Sequence, residues 1–470
     1  MTKTLVATAG LSESTNIMSS GIPEKFLEKG LQSAENESVG CLYQYLESKK
    51  LQNGSTVFYP RIIGERDLNN PKHWRWGFNW KEKINSVWKG RSIGSIPCGA
   101  VPMIRAMQLQ GATREEIISF IKRAKTKSPR KPKLPANAPI AVVLFAGGGG
   151  VEAAMVQAGI RPVIAVEYDP TKPKLSHALA HTHHRNFHEY GCKVIQLTVQ
   201  EVAHSEFQGF PKPDYLHASP VCANFSQAHT AKAGAAVETP DDLSAAQAVA
   251  AAILNLQPRI FTLENVPRYL NSQSFAIILN VLESLGYRVN YSVVNMADYR
   301  LPQARRRLVL VASQDTTLTL PPTSKPVGWY ETIAHLIPTM PNSQLLSRQR
   351  QALSQFLATN EPTPLLIERV GGRKLAKYKP KHLPANTILR SHFTDHKGCN
   401  RNKFADIWLP DGTIKSLSIQ AAAILQGFPS WYEFPPQTAT AGSIIGYSVP
   451  PSFATQLFIH IQQQLEQSHE

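Results

Sequence analysis

The chain has 470 residues, 42% of them hydrophobic, with a formal net charge of +16 and a pI near 9.6. That length exceeds one ordinary domain and provides for two or three. No apolar run approaches the roughly 20 residues that span a bilayer, and Met1–Gly21 lacks the apolar stretch of a secretory leader, so neither a membrane-spanning nor a secreted protein is expected.

Five cysteines (Cys41, Cys98, Cys192, Cys222, Cys399) are scattered without metal-ligand spacing. Their odd number and spacing argue against a disulfide framework or a zinc site and for a reduced, cytoplasmic compartment, nucleoid-associated in a prokaryote. The positive charge predicts a polyanionic partner, because phosphate neutralisation by Lys and Arg supplies much of nucleic-acid affinity. It is concentrated: residues 51–140 hold 17 Lys plus Arg against 5 Asp plus Glu, a balance of +12.

In chain order, residues 1–38 are polar and Ser/Glu-rich and are expected to form a flexible tail. Residues 39–124 read as a small basic accessory domain, expected to bind DNA. It contains strands at His73–Trp80 and Val87–Ile96 and a helix capped by Thr113 with Glu116 three positions on. Residues 125–138 are rich in proline and lysine and are expected to be a linker. From residue 139 the texture changes. Short apolar strands (Ala141–Ala146, Pro162–Glu167, Asp214–Ala218, Ile260–Leu263, Leu308–Ala312) alternate with helices such as Ser244–Leu256 and Ser274–Leu285. That alternation predicts a doubly wound α/β sheet over residues 139–315. Residues 316–415 lose the pattern and read as an inserted domain. Residues 416–470 regain helices at Ser418–Leu425 and Ser452–Glu466, completing the sheet domain.

Three segments carry chemistry. AVVLFAGGGGVEAAMVQAG is a strand, a glycine loop (Gly147, Gly148, Gly149, Gly150) and a helix, the arrangement that brings backbone N–H groups close to a ligand. Glu167 ends the next strand 20 residues beyond Gly147, placed for a ribose diol, and Tyr168 is placed to stack on an adenine. DYLHASPVCANFS sets Cys222 just past a strand end behind Pro220; a lone cysteine is more often a buried structural residue. FTLENVP puts Glu264 and Asn265 at another strand end, where a carboxylate is costly without a task or partner. LPQARRR brings Gln303, Arg305 and Arg307 into a strand, the two arginines on one face. His181, His183 and His184 read as a solvated helix face rather than a metal site.

Together these segments resemble the ordered motifs of the carbon-5 cytosine DNA methyltransferases: LFAGGGG, ASPVCANFS, LENVP, LPQARRR, then LQGFP (Leu425–Pro429) and GYSVPP (Gly446–Pro451). The match covers roughly residues 139–315 and 416–465. The resemblance implies a Rossmann-like S-adenosylmethionine-dependent fold, a target-recognition domain in the insert, and double-stranded DNA as substrate. It implies a monomer and leaves open whether a companion restriction endonuclease exists. Cys222 would add to carbon 6 of a flipped cytosine, Glu264 would hold ring N3, and Arg307 and Arg305 the exocyclic oxygen. Cofactor contacts would come from Phe145, Ala146, Gly147, Gly148, Gly149, Gly150, Glu167, Tyr168, Gln196 and Pro220, and substrate contacts from Asn265 and Gln303.

The chain departs from the family's usual residues at Val143, Gln196, Val221, Ala223, Arg300, Ala421 and Tyr447. Two other readings stand beside this one: a transfer-RNA cytosine-5 methyltransferase, and a catalytically silent DNA-binding protein of the same fold. The retained Cys222, Glu264, Arg305 and Arg307 argue against the second of these.

Overall fold

The computed structural model describes residues 3–6, 40–51, 53–62, 64–68, 70–84, 86–109, 112–125, 131–221, 225, 238–369, 376–389 and 404–468. They divide into two compact units, Met1–Ser128 and Pro129–Glu470.

The first unit contains strands β1 (Lys3–Val6), β2 (Cys41–Lys50), β3 (Thr56–Tyr59), β4 (Arg75–Ile84) and β5 (Val87–Ile96), then helices α1 (Val101–Leu109) and α2 (Arg114–Lys125). The strands form an antiparallel sheet in the order β1-β2-β4-β5, with β3 also on β2. Strand β1 lies within the stretch expected to be a tail: Lys3–Val6 pairs with Gln44–Glu47. One face of the sheet is apolar. Trp76, Phe78 and Ile96 pack there on Val101, Ile104, Ile117 and Ile121 of the two helices, each fully buried side chain contributing about 2 kcal/mol. Helix α2 starts as its sequence predicts, with the Glu116 carboxylate accepting from the Thr113 backbone N–H at 2.8 Å.

The second unit opens with residues 131–138, which lie along it rather than spanning free space. Lys131 donates to Asn186 O at 2.9 Å and pairs with Glu189 at 2.7 Å, and Tyr190 donates to Pro132 O at 2.8 Å. The sheet elements follow: β6 (Ile140–Leu144), α3 (Gly150–Gln157), β7 (Arg161–Val166), α4 (Pro173–Phe187), β8 (Lys193–Ile195), α5 (Val199–His204), β9 (Tyr215–Ala218), α6 (Pro240–Leu256), β10 (Ile260–Asn265), α7 (Gln273–Ser284), β11 (Arg288–Asn295) and β12 (Arg306–Ser313). The seven strands run β11-β12-β10-β9-β6-β7-β8. β12 is antiparallel to both neighbours; β10, β9, β6, β7 and β8 are parallel. Alternation divides β6 between two cores. Val142 and Leu144 join Val249, Ile253 and Ile278 of α6 and α7 on one side, and Ala141 and Val143 join Met155 of α3 on the other. A strand buried on both faces needs the continuous apolar run seen here. This is the doubly wound sheet that the alternation predicts.

The insert contains α8 (Trp329–Ile333), α9 (Ser347–Leu357) and a small antiparallel sheet β14-β13-β15-β16, made of β13 (Leu365–Glu368), β14 (Tyr378–Pro380), β15 (Ala405–Trp408) and β16 (Ile414–Ser416). A buried carboxylate pins it: Asp406 pairs with Arg369 at 2.5 Å and accepts from Gln349 at 2.9 Å and Ser343 at 2.6 Å. Helices α10 (Ile419–Leu425), α11 (Thr438–Tyr447) and α12 (Pro451–Gln467) return to the main sheet, where Phe453, Leu457 and Phe458 of α12 complete the core beside α3. Among the described residues no helix is long and apolar enough to cross a membrane.

Candidate active site

The carboxyl ends of β6, β7, β9 and β10 open into one cavity of about 510 Å³, the crevice where an open α/β sheet presents its functional groups. The loop after β6 forms one wall. Phe145 takes φ +58° there, Gly147 +56° and Gly149 +93°, conformations that L side chains adopt only at a cost of order 1 kcal/mol or more. The four glycines divide by task. A Cβ on Gly147 would stand in open space, so the cavity meets bare backbone there. On Gly148 it would meet Ile444 of α11 at 2.7 Å, and on Gly150 it would meet Ser448 at 2.7 Å. On Gly149 it would run into Phe187, and Gly149 is absent from the cavity wall. Three of the four glycines thus admit the protein's own packing. Tyr432, wholly buried after the LQGFP segment, donates its hydroxyl to Gly148 O and holds the loop from behind.

Glu167 follows β7 and lines the cavity. One carboxylate oxygen accepts the Gly147 N–H at 2.9 Å. Burial pushes its carboxyl above the ordinary range, and that N–H opposes the shift. Tyr168 also faces the cavity, its ring 5.9 Å from His177. Gln196 does not. It is exposed, and its amide oxygen is engaged by His177 Nδ1, which removes it from the expected adenine contact.

The loop that carries Cys222 leaves β9. Cys222 lies outside the described residues, which include Ser219, Pro220 and Val221 just before it. His217 is buried and bridges Thr262 Oγ1 and Ser219 Oγ, both at 2.8 Å. Burial lowers its pKa to about 3, so the neutral ring donates through one nitrogen and accepts through the other. Pro220 O accepts from Asn265 Nδ2 at 3.1 Å. Ser219, Pro220 and Val221 all line the cavity, with Val221 57% exposed. Asn265 therefore steadies the loop as well as lining the cavity.

Glu264 ends β10, and its carboxylate lies 2.9 Å from Arg307 Nε on β12. Both side chains are about nine-tenths buried and line the cavity. The two other residues of the arginine motif bond within the protein. Arg305, 2% exposed, donates to the backbone carbonyls of Ile388 at 3.3 Å and of Gly446 and Ser448 at 3.2 Å. Its guanidinium ties the insert to the segment after α11, and the residue also lines the cavity. Gln303 is fully buried away from the cavity wall. It donates to Gln426 Oε1 at 2.7 Å and accepts from Ile388 N at 2.9 Å, so it fastens the same junction. Arg305→Ala should take a donor from three buried carbonyls, of which Ser448 O keeps the Gln426 amide at 2.9 Å. It should lower the free energy of urea unfolding by at least about 3 kcal/mol; a wild-type urea midpoint for this variant would remove the fastening role.

Sequence reasoning missed His217, Tyr432 and the cavity-lining Ser443 and Ile444 of α11, where Tyr447 also lines the cavity. Only the last segment carried a signal, in the GYSVPP motif. The histidines also differ from expectation. His181 and His184 are exposed, but His183 is buried and meets Glu152 at 2.9 Å. Among the described residues no group of three or more His, Cys, Asp or Glu is placed to hold a metal.

Comparison with known proteins agrees with this geometry. A family model described as C-5 cytosine-specific DNA methylase matches residues 141–463. The Type II methyltransferase M.AplI of Arthrospira platensis is 27% identical over 330 residues, covering 69% of this chain and 85% of that one. The Type II methylase M.HgiDII of Herpetosiphon aurantiacus is 25% identical over 360 residues, 70% and 96% of the two chains. For the Type II methyltransferase M1.HphI of Haemophilus parahaemolyticus the figures are 24% over 325 residues, 66% and 83%. The family match begins at the first sheet strand and ends in the last helix, and by that match the chain belongs to the C-5 cytosine-specific DNA methylases.

Proposed function

We propose that this DNA methyltransferase uses S-adenosylmethionine to methylate carbon 5 of a flipped cytosine in duplex DNA, through a covalent bond to Cys222. The observation that carries the reading is one cavity shared by the bare backbone of Gly147, the Pro220–Val221 approach to Cys222, and the Glu264–Arg307 pair. Phe145, Ala146, Gly147, Gly148, Glu167, Tyr168 and Pro220 fit the cofactor: open space stands in front of Gly147, a carboxylate fixes the loop, and an aromatic ring faces the same space. When bound, S-adenosylmethionine supplies an electrophilic methyl group.

The chain's own residues prepare the base to accept it. Cytosine is electron-poor at carbon 6, where the Cys222 thiolate forms a carbon–sulfur bond and pushes an electron pair toward carbon 5. A hydrogen bond from protonated Glu264 to N3 takes up charge on the ring, and Arg307 adds positive potential at the exocyclic oxygen. After methylation a base removes the carbon-5 proton, the carbon–sulfur bond breaks, and Cys222 leaves as thiolate. A stacked base is out of reach of any side chain, so the target nucleotide must be extruded at a cost of a few kcal/mol. The insert, residues 316–415, is assigned to target recognition, and the enzyme is expected to work as a monomer.

The test is incubation with a tritium-labelled methyl donor and, in parallel, mixed-sequence duplex DNA and transfer RNA. Label is expected in 5-methylcytosine of DNA. A 5-fluorocytosine-substituted duplex should leave the protein covalently joined to DNA at Cys222, since fluorine cannot depart as a cation. Label in RNA alone, or no covalent product at that residue, would overturn the reading.

A further inference from the structure

Among the described residues both helices of the amino-terminal unit pack on one face of its sheet. Directly opposed residues of an antiparallel pair lie on the same face. Trp76 opposes Ile96 and Phe78 opposes Ile93, all four in the helix-covered core. The register then places Asn79 with Ser92, Lys81 with Gly90, and Lys83 with Trp88 on the other face. All six are exposed, Trp88 by 61%. Strand β2 leaves the ladder at the Cys41–Asn79 pair, while β4 and β5 stay paired out to Ile84–Val87. Residues beyond Asn79 and Ser92 therefore form a two-stranded ribbon.

The charge on this ribbon is one-sided. Its single carboxylate, Glu82, alternates to the opposite face and is held by Arg91 at 2.5 Å. Lys81 and Lys83, two positions apart and thus about 6.6 Å along the strand, share their face with no acid of the ribbon. A Cβ on Gly90 would meet nothing, which leaves a gap in the side-chain layer beside Lys81. Two cations without an ion-pair partner among the described residues, an exposed indole, an amide and a gap that admits a ligand to the backbone suit a polyanion with flat, hydrogen-bonding edges. A two-stranded ribbon also fits the roughly 12 Å width of a major groove.

We propose that the Asn79, Lys81, Lys83 and Trp88 face of the β4–β5 ribbon is a second duplex-DNA contact of the enzyme, separate from the catalytic cavity. The lysines meet phosphates, Trp88 packs on a sugar, and the Asn79 amide reaches base edges. This rests on the reading that duplex DNA is the substrate.

The test uses the full chain. Lys81→Glu/Lys83→Glu and Trp88→Ala are compared with Lys72→Glu/Lys89→Glu, which changes charge equally; Lys89 opposes Glu82 on the other face. Binding of a fluorescein-labelled mixed-sequence duplex is titrated at several salt concentrations, with single-stranded RNA of equal length alongside. The paired lysine variant should lose at least about tenfold in duplex affinity and reduce the salt slope by about two. Trp88→Ala should lose affinity with its slope intact, and the control should keep both. Methyl transfer at saturating DNA should be unchanged in all. Wild-type affinity and slope in the paired variant, an equal loss in the control, or a loss confined to RNA would each overturn the proposal. Absence of methyl transfer in every protein, wild type included, would instead sink the catalytic reading and leave the binding result to stand on its own.

Discussion

Replacing Cys222 with serine is expected to abolish methyl transfer, by roughly 10⁴-fold or more, while affinity for duplex DNA stays near wild type. Losing a nucleophile typically costs that much, because the remaining groups then act on a reaction that has lost its first bond. A serine hydroxyl is far less ionised at neutral pH than a thiol, and its harder oxygen is a poorer match for carbon 6. The surroundings make this a test of chemistry rather than of folding. The approach to Cys222 is built by others: His217 holds Ser219, Asn265 holds Pro220 O, and Phe225 packs edge-on against Tyr269 with ring centres 5.1 Å apart. None of these contacts involves the sulfur. Tritium incorporation into duplex DNA measures the first quantity and fluorescence anisotropy the second. Turnover within tenfold of wild type in the serine variant would remove Cys222 from the mechanism.

The sheet was legible because its strands are buried on both faces. Ile140–Leu144 is apolar throughout and residues 260–263 are apolar except for Thr262, so both runs stand out between helices. The strands that escaped reading lack that property. β8 has three residues, and β11 is a half-exposed edge strand whose apolar positions are interrupted by Asn290 and Ser292. In the site, features that sequence places at strand ends meet in one cavity: Glu264, Arg307, Glu167 and the glycine loop. Contacts to a distant partner were not legible in the sequence. Arg305 and Gln303 look like substrate ligands in a list of letters. Their partners within the chain, Ile388, Gln426, Gly446 and Ser448, lie 83 to 143 positions further on. Tyr432 reaches Gly148 across 284 positions. Local pattern carries no information about such contacts, which exist only once the insert has returned the chain to the sheet. The exposed face of the β4–β5 ribbon is the reverse case. The basic composition was visible, but which lysines share a face follows only from the register.

The Glu264–Arg307 pair yields the second large effect. Glu264→Gln preserves the shape of the side chain and its ability to hydrogen-bond N3, but an amide cannot deliver a proton to the ring. The single-turnover rate of methyl transfer should fall by about 10²- to 10⁴-fold, the range that positioned acid–base groups supply, with the affinity for duplex DNA little changed. The variant also separates two roles that the geometry overlays. If Glu264 served chiefly to hold Arg307, the 2.9 Å ion pair would be its whole contribution; then Arg307→Ala would cost as much as Glu264→Gln, and the double variant no more than either. If each group acts on the base, one at N3 and the other at the exocyclic oxygen, the losses should compound toward the product of the two. A urea midpoint near wild type for Glu264→Gln keeps the comparison free of unfolding. An unchanged single-turnover rate would show that N3 needs no acid here, and carbon-6 attack would then depend on Cys222 and Arg307 alone.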